Sequence, residues 1–302
     1  MASGSPHDGQ QTSISTRSAY RATATGGRRV TNDGRVTDRQ PRLLPPVRPT
    51  LQSQAMPLDL LVFGPHPDDI EIGMGATIAL HARRGNRVGL VDLTRGELGS
   101  NGTPEERVAE AAEAAAVLGA VLRLNLALPD GCLSVDDEGQ VDAVVRCVRA
   151  HRPRAIAMPH WEDRHPDHGN ASRLLRQAIF RAGLRRVVTA DEPWRPEWVC
   201  HYFINDAAPP SFVIDVSEVY EIKRQALACH RSQFAPAGDA AAATRLTSPL
   251  FAQLIESRDA QFGALAGVRY AEGFVVAHAG ERPHLFKTWP ADPAAPAEAP
   301  HA

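Results

Sequence analysis

The sequence predicts an α/β protein, because short apolar runs alternate with longer helical patterns along residues 56–290. The first run, LDLLVFG at 58–64, is apolar at almost every position, which is typical of a central parallel strand covered on both faces. Comparable runs return along the chain with one helical stretch between them. This order predicts β-α-β units with right-handed crossovers. We therefore expect a Rossmann-like, mainly parallel sheet flanked by helices, in a single domain.

The elements can be placed in order along the chain. Strands are expected where apolar and β-branched residues cluster, at 58–64, 87–94, 121–128, 154–160, 198–205 and 211–216. Helices are expected between these runs, at about 71–84, 104–120, 139–152, 168–182 and 217–230. The second helix has the clearest ends, because Thr103 is a suitable N-cap, Pro104 a suitable first residue and Gly119 a suitable terminator. Beyond residue 230 the pattern is more variable.

Both ends of the chain differ in composition from the region between them. Residues 1–55 hold eight arginines and three acids, are rich in Ser, Thr, Gly and Pro, and show no hydrophobic period. This composition predicts a disordered basic extension, and a dispensable leader fits it better than a nucleic-acid-binding tail. Met56 stands just before the first strand, so we expect the native start there. Residues 291–302 are predicted to be a disordered Pro/Ala-rich tail.

Overall charge and cysteine usage exclude several classes of protein. The formal net charge of -2 and the pI near 6.6 provide no general field for nucleic acid or an anionic membrane, so we predict neither partner. No apolar stretch reaches the roughly 20 residues of a membrane helix, and no secretory signal is recognisable. The widely spaced cysteines form no C-x-x-C pair, which predicts a reducing cytoplasm; they are Cys132, Cys147, Cys200 and Cys229.

Polar clusters follow the first and the fourth predicted strands. HPDD at 66–69 comes after the first, and EDRHPDH at 162–168 comes after the fourth. Ligands of open α/β sheets lie beyond the carboxyl ends of the strands, so the two clusters are expected to meet across one crevice. They supply His66, Asp68, Asp69, His165, Asp167 and His168. This concentration of imidazole and carboxylate suits a divalent metal of the zinc type.

Either cluster alone has an ordinary explanation. An N-capping aspartate explains H-x-D-D in a strand-to-helix loop, and a solvated proline turn explains H-P-D-H. Their joint occurrence at equivalent strand ends favours a shared metal site. Catalytic zinc takes three protein ligands and keeps one position open for water, which two histidines and one carboxylate would satisfy. The other acids would then serve proton transfer and the orientation of imidazoles, and the residues alone leave open which acid does which.

A dinucleotide-binding site is the alternative interpretation, because GMG at 73–75 follows a strand and Asp92 ends the next one. The corresponding fingerprint, G-x-G-x-x-G, requires a glycine at position 78, where the chain has Ile78. The glycines also come nine residues after Gly64, inside a predicted helix. They therefore favour close helix packing over a pyrophosphate cradle, and a nicotinamide-dependent oxidoreductase is the weaker alternative.

These clusters resemble those of the LmbE-like or PIG-L-type zinc N-deacetylases, whose marks are an (A/P)HPDD loop and a later HPDH. Four segments are similar to the subgroup that deacetylates N-acetylglucosaminyl malate in bacillithiol biosynthesis, and they read VFGPHPDDIEIGMGATIA, DLTRGELGSNGTPEER, EDRHPDHGN and RYAEGF. The resemblance covers roughly residues 57–275 and leaves both tails unmatched. It implies hydrolysis of the acetamide of N-acetyl-α-D-glucosaminyl L-malate to glucosaminyl malate and acetate.

The resemblance also implies a role for each residue of the two clusters. The implied zinc ligands are His66, Asp69 and His168. The same ligands accept Fe(II) or Co(II). Asp68 would be the general base, His165 would stabilise the oxyanion or protonate the leaving amine, and Asp167 would orient a histidine.

Two arginines are implied to recognise the substrate. Arg107 matches a family position that contacts the anionic part of the substrate, although its spacing alone predicts an exposed helical residue. Arg164, next to His165, is the second candidate, and a planar guanidinium suits the carboxylates of malate. Two features depart from the pattern. Phe251 stands near an expected tyrosine, and PDGCL at 129–133 replaces PDRGL, which moves or removes a charge near the crevice.

The sequence thus predicts a cytoplasmic, zinc-dependent N-deacetylase whose partner is a small-molecule N-acetylglucosaminyl conjugate. The resemblance implies a homo-oligomer, often a hexamer in the family. Within the same class, the alternatives are deacetylation of a mycothiol precursor or chitobiose and hydrolysis of a thiol conjugate's amide. A noncatalytic sugar-binding module is a further alternative, and it would tolerate the loss of Asp68.

Overall fold

Apolar runs give seven strands in one sheet within residues 57–236, 238 and 241–276, which the computed structural model describes. The strands are β1 (Leu60–Gly64), β2 (Val88–Asp92), β3 (Leu122–Asn125), β4 (Ala155–Pro159), β5 (Trp198–Tyr202), β6 (Phe212–Asp215) and β7 (Ala271–Val275). The predicted disordered segments at 1–55 and 291–302 lie outside the described residues. The predicted end of the domain at residue 290 also lies outside them, because the last described residue is 276. The bounds of the domain therefore stay a prediction.

Helices lie between most of the strands, as predicted, and β5 is followed by β6 without a helix between them. The helices are α1 (Asp69–Arg83), α2 (Pro104–Leu118), α3 (Glu138–His151), α4 (Pro166–Ala182), α5 (Tyr220–Cys229), α6 (Arg231–Phe234) and α7 (Pro249–Ala266). The predicted ends of α2 are confirmed, because Thr103 and Glu106 form a reciprocal capping box and Gly119 ends the helix in the left-handed region. In the part of the chain that the structure describes, no helix combines the length and apolarity needed to cross a membrane.

The strand order is β3-β2-β1-β4-β5-β7-β6, with parallel pairing from β3 to β5. The mainly parallel sheet is therefore confirmed. β7 is antiparallel to both β5 and β6, which makes the sheet mixed at this side. After β3 the chain crosses to the other side of β1 and adds β4 there. β1 and β4 thus flank the point where strand order reverses, which is where ligands bind in sheets of this kind.

Both faces of β1 are covered, as its continuous apolar sequence predicts. Leu60 and Val62 belong to one hydrophobic core and Leu61 and Phe63 to another, and all four side chains are fully buried. Helices α1, α2, α5 and α7 contribute to the first core, whereas α3 and α4 contribute to the second. Burial of each such side chain stabilises the fold by about 1.5–3 kcal/mol. This packing holds the carboxyl end of β1 at a fixed position.

A break in α1 lies just behind the first polar cluster. Met74 has φ -149° and ψ 25°, which interrupts the helix between two helical segments. Gly73 is required there, because a Cβ atom would lie 2.1 Å from the ring of Tyr202. The glycines at 73–75 therefore permit close packing, as predicted. Glu272 of β7 caps the second segment, since its carboxylate accepts hydrogen bonds from Ala76 N and Thr77 N at 3.1 and 2.7 Å.

Buried charges hold this break in place. The Lys223 ammonium donates to Glu272 at 2.6 Å and to Asp259 at 2.7 Å, and all three side chains are fully buried. Arg258 donates from Nη2 to the carbonyl of Ile72 at 2.7 Å, just before the break. Elements distant in sequence thereby hold both segments of α1, because α7 contacts the first segment and β7, supported by α5, caps the second. The first segment carries the end of the HPDD loop.

Candidate active site

The two polar clusters meet at the carboxyl ends of β1 and β4, as predicted. They line a cavity of about 620 Å³, which is within the usual size of small-molecule sites. Seven of the eight predicted site residues line this cavity, and they are His66, Asp68, Asp69, Arg107, Arg164, His165 and His168. The eighth, Asp167, lies behind them with its carboxylate 3.4 Å from His66 Nε2. One cavity therefore gathers groups from β1, β4 and α2.

Candidate metal donors converge on one carboxylate. Oδ2 of Asp69 lies 3.0 Å from His66 Nδ1 and 3.3 Å from His168 Nε2, and all three residues are buried. Ring nitrogens of His66, His165 and His168 also lie within 4.8 Å of one another. Burial would raise the pKa of Asp69, but the two imidazoles hold it well below its ordinary value. Donors this close share protons that a divalent cation can replace, so the set fits zinc, Fe(II) or Co(II).

A second carboxylate stands behind each of these imidazoles. Nε2 of His66 is 3.0 Å from Asp130 Oδ1, and Nδ1 of His168 is 3.0 Å from Asp163 Oδ1. Burial would lower the pKa of His168, but Asp69 and Asp163 raise it to about 9. Carboxylates in this position orient metal-binding imidazoles and increase their basicity. Sequence analysis missed both acids, although Asp163 lies inside the quoted EDRHPDH segment and Asp130 follows the third strand.

Asp68 has an unusual backbone conformation. Its φ of 127° is outside the regions that non-glycine residues normally adopt, and strain of this kind concentrates at functional sites. Although it occupies the N-cap position of α1, its side chain makes no capping hydrogen bond, so the N-capping explanation is not supported. Burial raises the pKa of Asp68 to about 6, with Arg107 opposing the rise and Asp69 adding to it. A carboxylate of this pKa is suited to proton transfer near neutral pH.

Arg107 is buried, so the expectation of an exposed helical residue is wrong. Its guanidinium donates to the carbonyls of Gly96 and Pro67, each at 2.9 Å, and Nη2 lies 3.4 Å from Asp68 Oδ2. A Cβ atom at Gly96, whose φ is 67°, would approach Nη1 to 1.9 Å, so a glycine is required at this contact. Arg107 thus connects the HPDD loop to the loop after β2. Its contact with substrate stays a prediction.

His165 and Asp167 occupy the start of α4. Nδ1 of His165 accepts a hydrogen bond from Asp167 N at 3.3 Å, which assigns the proton of the neutral ring to Nε2. Burial, together with the charges of His168 and His66, lowers the pKa of His165. The Asp167 carboxylate accepts from Gly131 N at 2.8 Å and lies beside His66. Arg164 is exposed at the mouth of the cavity.

The dinucleotide interpretation finds no support in the structure. The glycines at 73–75 lie within α1 rather than in a loop that could cradle a pyrophosphate. Both oxygens of the Asp92 carboxylate accept hydrogen bonds from Arg123, at 2.9 and 2.8 Å. Arg123 also contacts Glu71, which is the remaining acid near the HPDD loop. The Glu71 side chain is fully buried. Asp92 and Glu71 therefore neutralise a buried guanidinium.

The carboxylate behind His168 is open to a direct test. We expect Asp163→Asn to weaken metal binding by about 10- to 100-fold, because the amide orients the imidazole less firmly and reduces its basicity. Competition with a chromophoric chelator measures the affinity, and circular dichroism checks the fold. Asp191→Asn is the matched control, since Asp191 is exposed beyond the far end of α4. An unchanged metal affinity in Asp163→Asn would contradict this role.

Comparisons with known proteins agree with this geometry. The PIG-L family model, described as GlcNAc-PI de-N-acetylase, matches residues 61–179, which include both polar clusters. The solved structure of the conserved protein TT1542 from Thermus thermophilus is 41% identical, with a TM-score of 0.67, and the match covers 73% of this chain and 95% of that one.

Two curated relatives carry names that specify a substrate. A diacetylchitobiose deacetylase of Thermococcus kodakarensis is 29% identical over 71% of this chain and 81% of its own length. A probable N-acetyl-α-D-glucosaminyl L-malate deacetylase 2 of Bacillus anthracis is 29% identical over 58% of this chain and 81% of its own length. Both names specify a deacetylase, and the two named substrates differ in charge.

Proposed function

The chain belongs to the PIG-L family and is an N-deacetylase of the hydrolase class, and from this premise we propose that its substrate is N-acetyl-α-D-glucosaminyl L-malate. Water would add to the acetyl carbon, the C–N bond would break, and the products would be acetate and glucosaminyl malate. One observation carries the hydrolytic chemistry of this proposal, namely that the Asp69 carboxylate lies between the imidazoles of His66 and His168, with Asp68 beside it in contact with Arg107.

The residues that would hold the metal are His66, Asp69 and His168. Bound zinc would polarise the acetamide carbonyl and lower the pKa of a water molecule, and Fe(II) or Co(II) suit the same donors. Asp130 and Asp163 would fix the two imidazoles in the orientation that binding requires. The arrangement supports a preformed site, because each donor is held by a contact within the protein.

Asp68 would act as the general base. It is adjacent to Asp69 in sequence but faces Arg107 instead of the imidazoles, so its carboxylate is outside the donor set. The nearby guanidinium favours the ionised form, which can accept a proton from the attacking water. Its pKa of about 6 leaves it mostly ionised at neutral pH yet basic enough to take that proton.

His165 would act on the opposite side of the scissile bond. Because its Nδ1 accepts from the backbone, Nε2 is the nitrogen that carries the proton toward substrate. That N–H can stabilise the developing oxyanion, and its proton can pass to the leaving amine. Asp167, which supplies the backbone N–H and contacts His66, would couple the positions of the two rings.

The choice of malate as the aglycone is supported by the positive charges of the arginines that line the cavity. Arg107 and Arg164 line the cavity, and the side chain of Arg164 has no carboxylate partner within 4.0 Å in the described ranges. A guanidinium suits a carboxylate of malate, whereas it would make only weaker hydrogen bonds to the neutral hydroxyl groups of a chitobiose unit. The Bacillus anthracis relative supports the same choice, whereas the Thermococcus kodakarensis relative supports chitobiose.

Cytoplasmic location and a homo-oligomeric state, including a hexamer, remain proposals for this chain.

A side-by-side assay tests the substrate. Formation of the free amine would be measured from the malate conjugate, from diacetylchitobiose, from an N-acetylglucosaminyl inositol as mycothiol precursor, and from a thiol-conjugate amide. We expect kcat/KM for the malate conjugate to exceed that for the neutral sugars by at least about tenfold, because one charge-assisted hydrogen bond is worth that factor. Faster turnover of a neutral sugar would overturn the malate assignment and retain the deacetylase.

A further inference from the structure

The mouth of the active-site cavity has a second unpaired guanidinium. Arg245, in the loop before α7, lines the same cavity as Arg164 and is exposed. Neither guanidinium has a carboxylate within 4.0 Å among the residues that the structure describes. The deeper arginine is different, because Arg107 is bonded to two carbonyls and contacts Asp68. Two guanidinium groups at the mouth therefore have hydrogen-bond donors available for an anionic ligand.

Arg245 is held in position. Its guanidinium carbon lies 5.3 Å from the ring centre of Phe251, which is buried on the first turn of α7 and also lines the cavity. Thr244 and Thr247 on either side of it are joined, since Thr247 Oγ1 accepts from Thr244 N and donates to Thr244 O, both at 2.9 Å. Phe251 supplies no hydroxyl here and instead supports a cation at the mouth of the cavity.

The loop that carries Arg245 is anchored to the loop after β2. The side-chain amide of Asn101, in the loop after β2, donates to Ala242 O at 2.9 Å and accepts from Ala242 N at 2.8 Å. This pairing resembles one step of a β ladder and restrains the backbone a few residues before Arg245. Such a guanidinium loses little conformational freedom when it binds a planar anion.

Charge separates the floor of the cavity from its mouth. The carboxylates at the floor already face cations or imidazoles, because Asp68 contacts Arg107, and Asp69 and Asp130 contact His66. The unpaired positive charge is therefore at the mouth, where the part of the substrate remote from the acetamide would lie. A neutral saccharide would leave these guanidinium groups unpaired. An acidic aglycone would offer them charged partners.

We propose that Arg245 is a specificity-determining residue whose guanidinium binds a carboxylate of the aglycone, so that acidic N-acetylglucosaminyl conjugates are preferred to neutral ones. This inference rests on the proposed deacetylase function and deepens it. A purely structural role for Arg245, as a cation stacked on Phe251, would affect all substrates equally. The ratio of kcat/KM for charged and neutral substrates therefore distinguishes a role in carboxylate binding from a structural role.

The test compares Arg245→Ala with wild type on two substrates, the malate conjugate and the neutral methyl glycoside of N-acetylglucosamine. We expect kcat/KM for the malate conjugate to fall by about 10- to 100-fold, mainly through KM, while the value for the glycoside changes by less than about twofold. Arg245→Lys should be intermediate, because it keeps the charge and loses the planar fork. Equal losses on both substrates, or no loss on either, would overturn the proposal.

Two further measurements keep the inference separate from the proposed function. Arg186→Ala is the matched control, since Arg186 is exposed and follows the far end of α4. The helix itself is about 25 Å long and begins next to His165. Calorimetric binding of the product, glucosaminyl malate, should weaken by a similar 10- to 100-fold in Arg245→Ala, whether or not turnover occurs. Absence of turnover in wild type would reject the malate deacetylase, whereas equal product affinity in the two proteins would reject the role of Arg245.

Discussion

Replacing Asp68 with asparagine is expected to lower kcat for acetate release by about 100- to 10,000-fold while the bound metal is retained. Asparagine has the same shape and tolerates positive φ better than most residues, so the backbone at φ 127° can be kept. The amide, however, cannot accept the proton of the attacking water. Asp68 contacts Arg107 and lies outside the metal donors, so its loss should leave the metal site intact.

The neighbouring position provides the matched control. Asp69→Asn changes the same atoms one residue later, but it weakens the carboxylate that faces both His66 and His168, so it should lose the metal as well as the activity. Metal content by mass spectrometry and kcat from acetate release distinguish the two variants. If Asp68→Asn lost its metal, or kept nearly full activity, the division of roles between the two aspartates would be wrong. Absence of acetate release in wild type, together with sugar binding that Asp68→Asn leaves unchanged, would instead favour a noncatalytic sugar-binding module.

Replacing Lys223 with methionine is expected to destabilise the protein by about 3–5 kcal/mol, which is the usual cost of breaking a buried ion pair from one side. The Lys223 ammonium lies between the carboxylates of Asp259 and Glu272, and none of the three side chains is exposed. Methionine fills similar volume but leaves two buried carboxylates without their cation. The free energy of unfolding can be measured by urea titration with fluorescence detection.

Arg224→Met is the control for this experiment. Arg224 is next in sequence and pairs with Glu221 and Glu256, but these side chains are 40–66% exposed, so its loss should cost at most about 1 kcal/mol. A Lys223→Met variant within about 1 kcal/mol of wild type would show that the buried charges do not stabilise the break in α1. Because Glu272 caps the segment behind that break, Lys223→Met should also weaken metal binding in the fraction that remains folded.

The meeting point of the candidate metal donors could be predicted from the sequence for a simple physical reason. HPDD and HPDH each follow an apolar run, and β1 and β4 are adjacent parallel strands, so their carboxyl ends meet. The order of strands and helices up to α5 was equally accessible, because each element has its own hydrophobic pattern. The separate positions of Asp68 and Asp69 were not accessible, since both leave the same strand end and only backbone geometry makes them face different partners.

What the sequence did not provide depends on contacts between distant residues. β7 was missed because its short sequence, AEGFV, includes a charged residue, and the partners of the buried Glu272 are Lys223, 49 residues away in the chain, and the backbone of α1. The burial of Arg107 depends on Gly96 and on the HPDD loop. Asp130 faces His66 across 64 residues. Such pairs leave no periodic signal, although acids after a strand end deserve inspection in any α/β sequence.

The proposed function is hydrolysis of the acetamide of N-acetylglucosaminyl malate with a metal held by His66, Asp69 and His168. The most direct measurement is acetate release from that substrate by one preparation before chelation, after chelation and after addition of one equivalent of zinc, Fe(II) or Co(II). We predict that activity is lost with the metal and returns as one ion binds per chain. Acetate release that persists after complete removal of the metal would contradict the account.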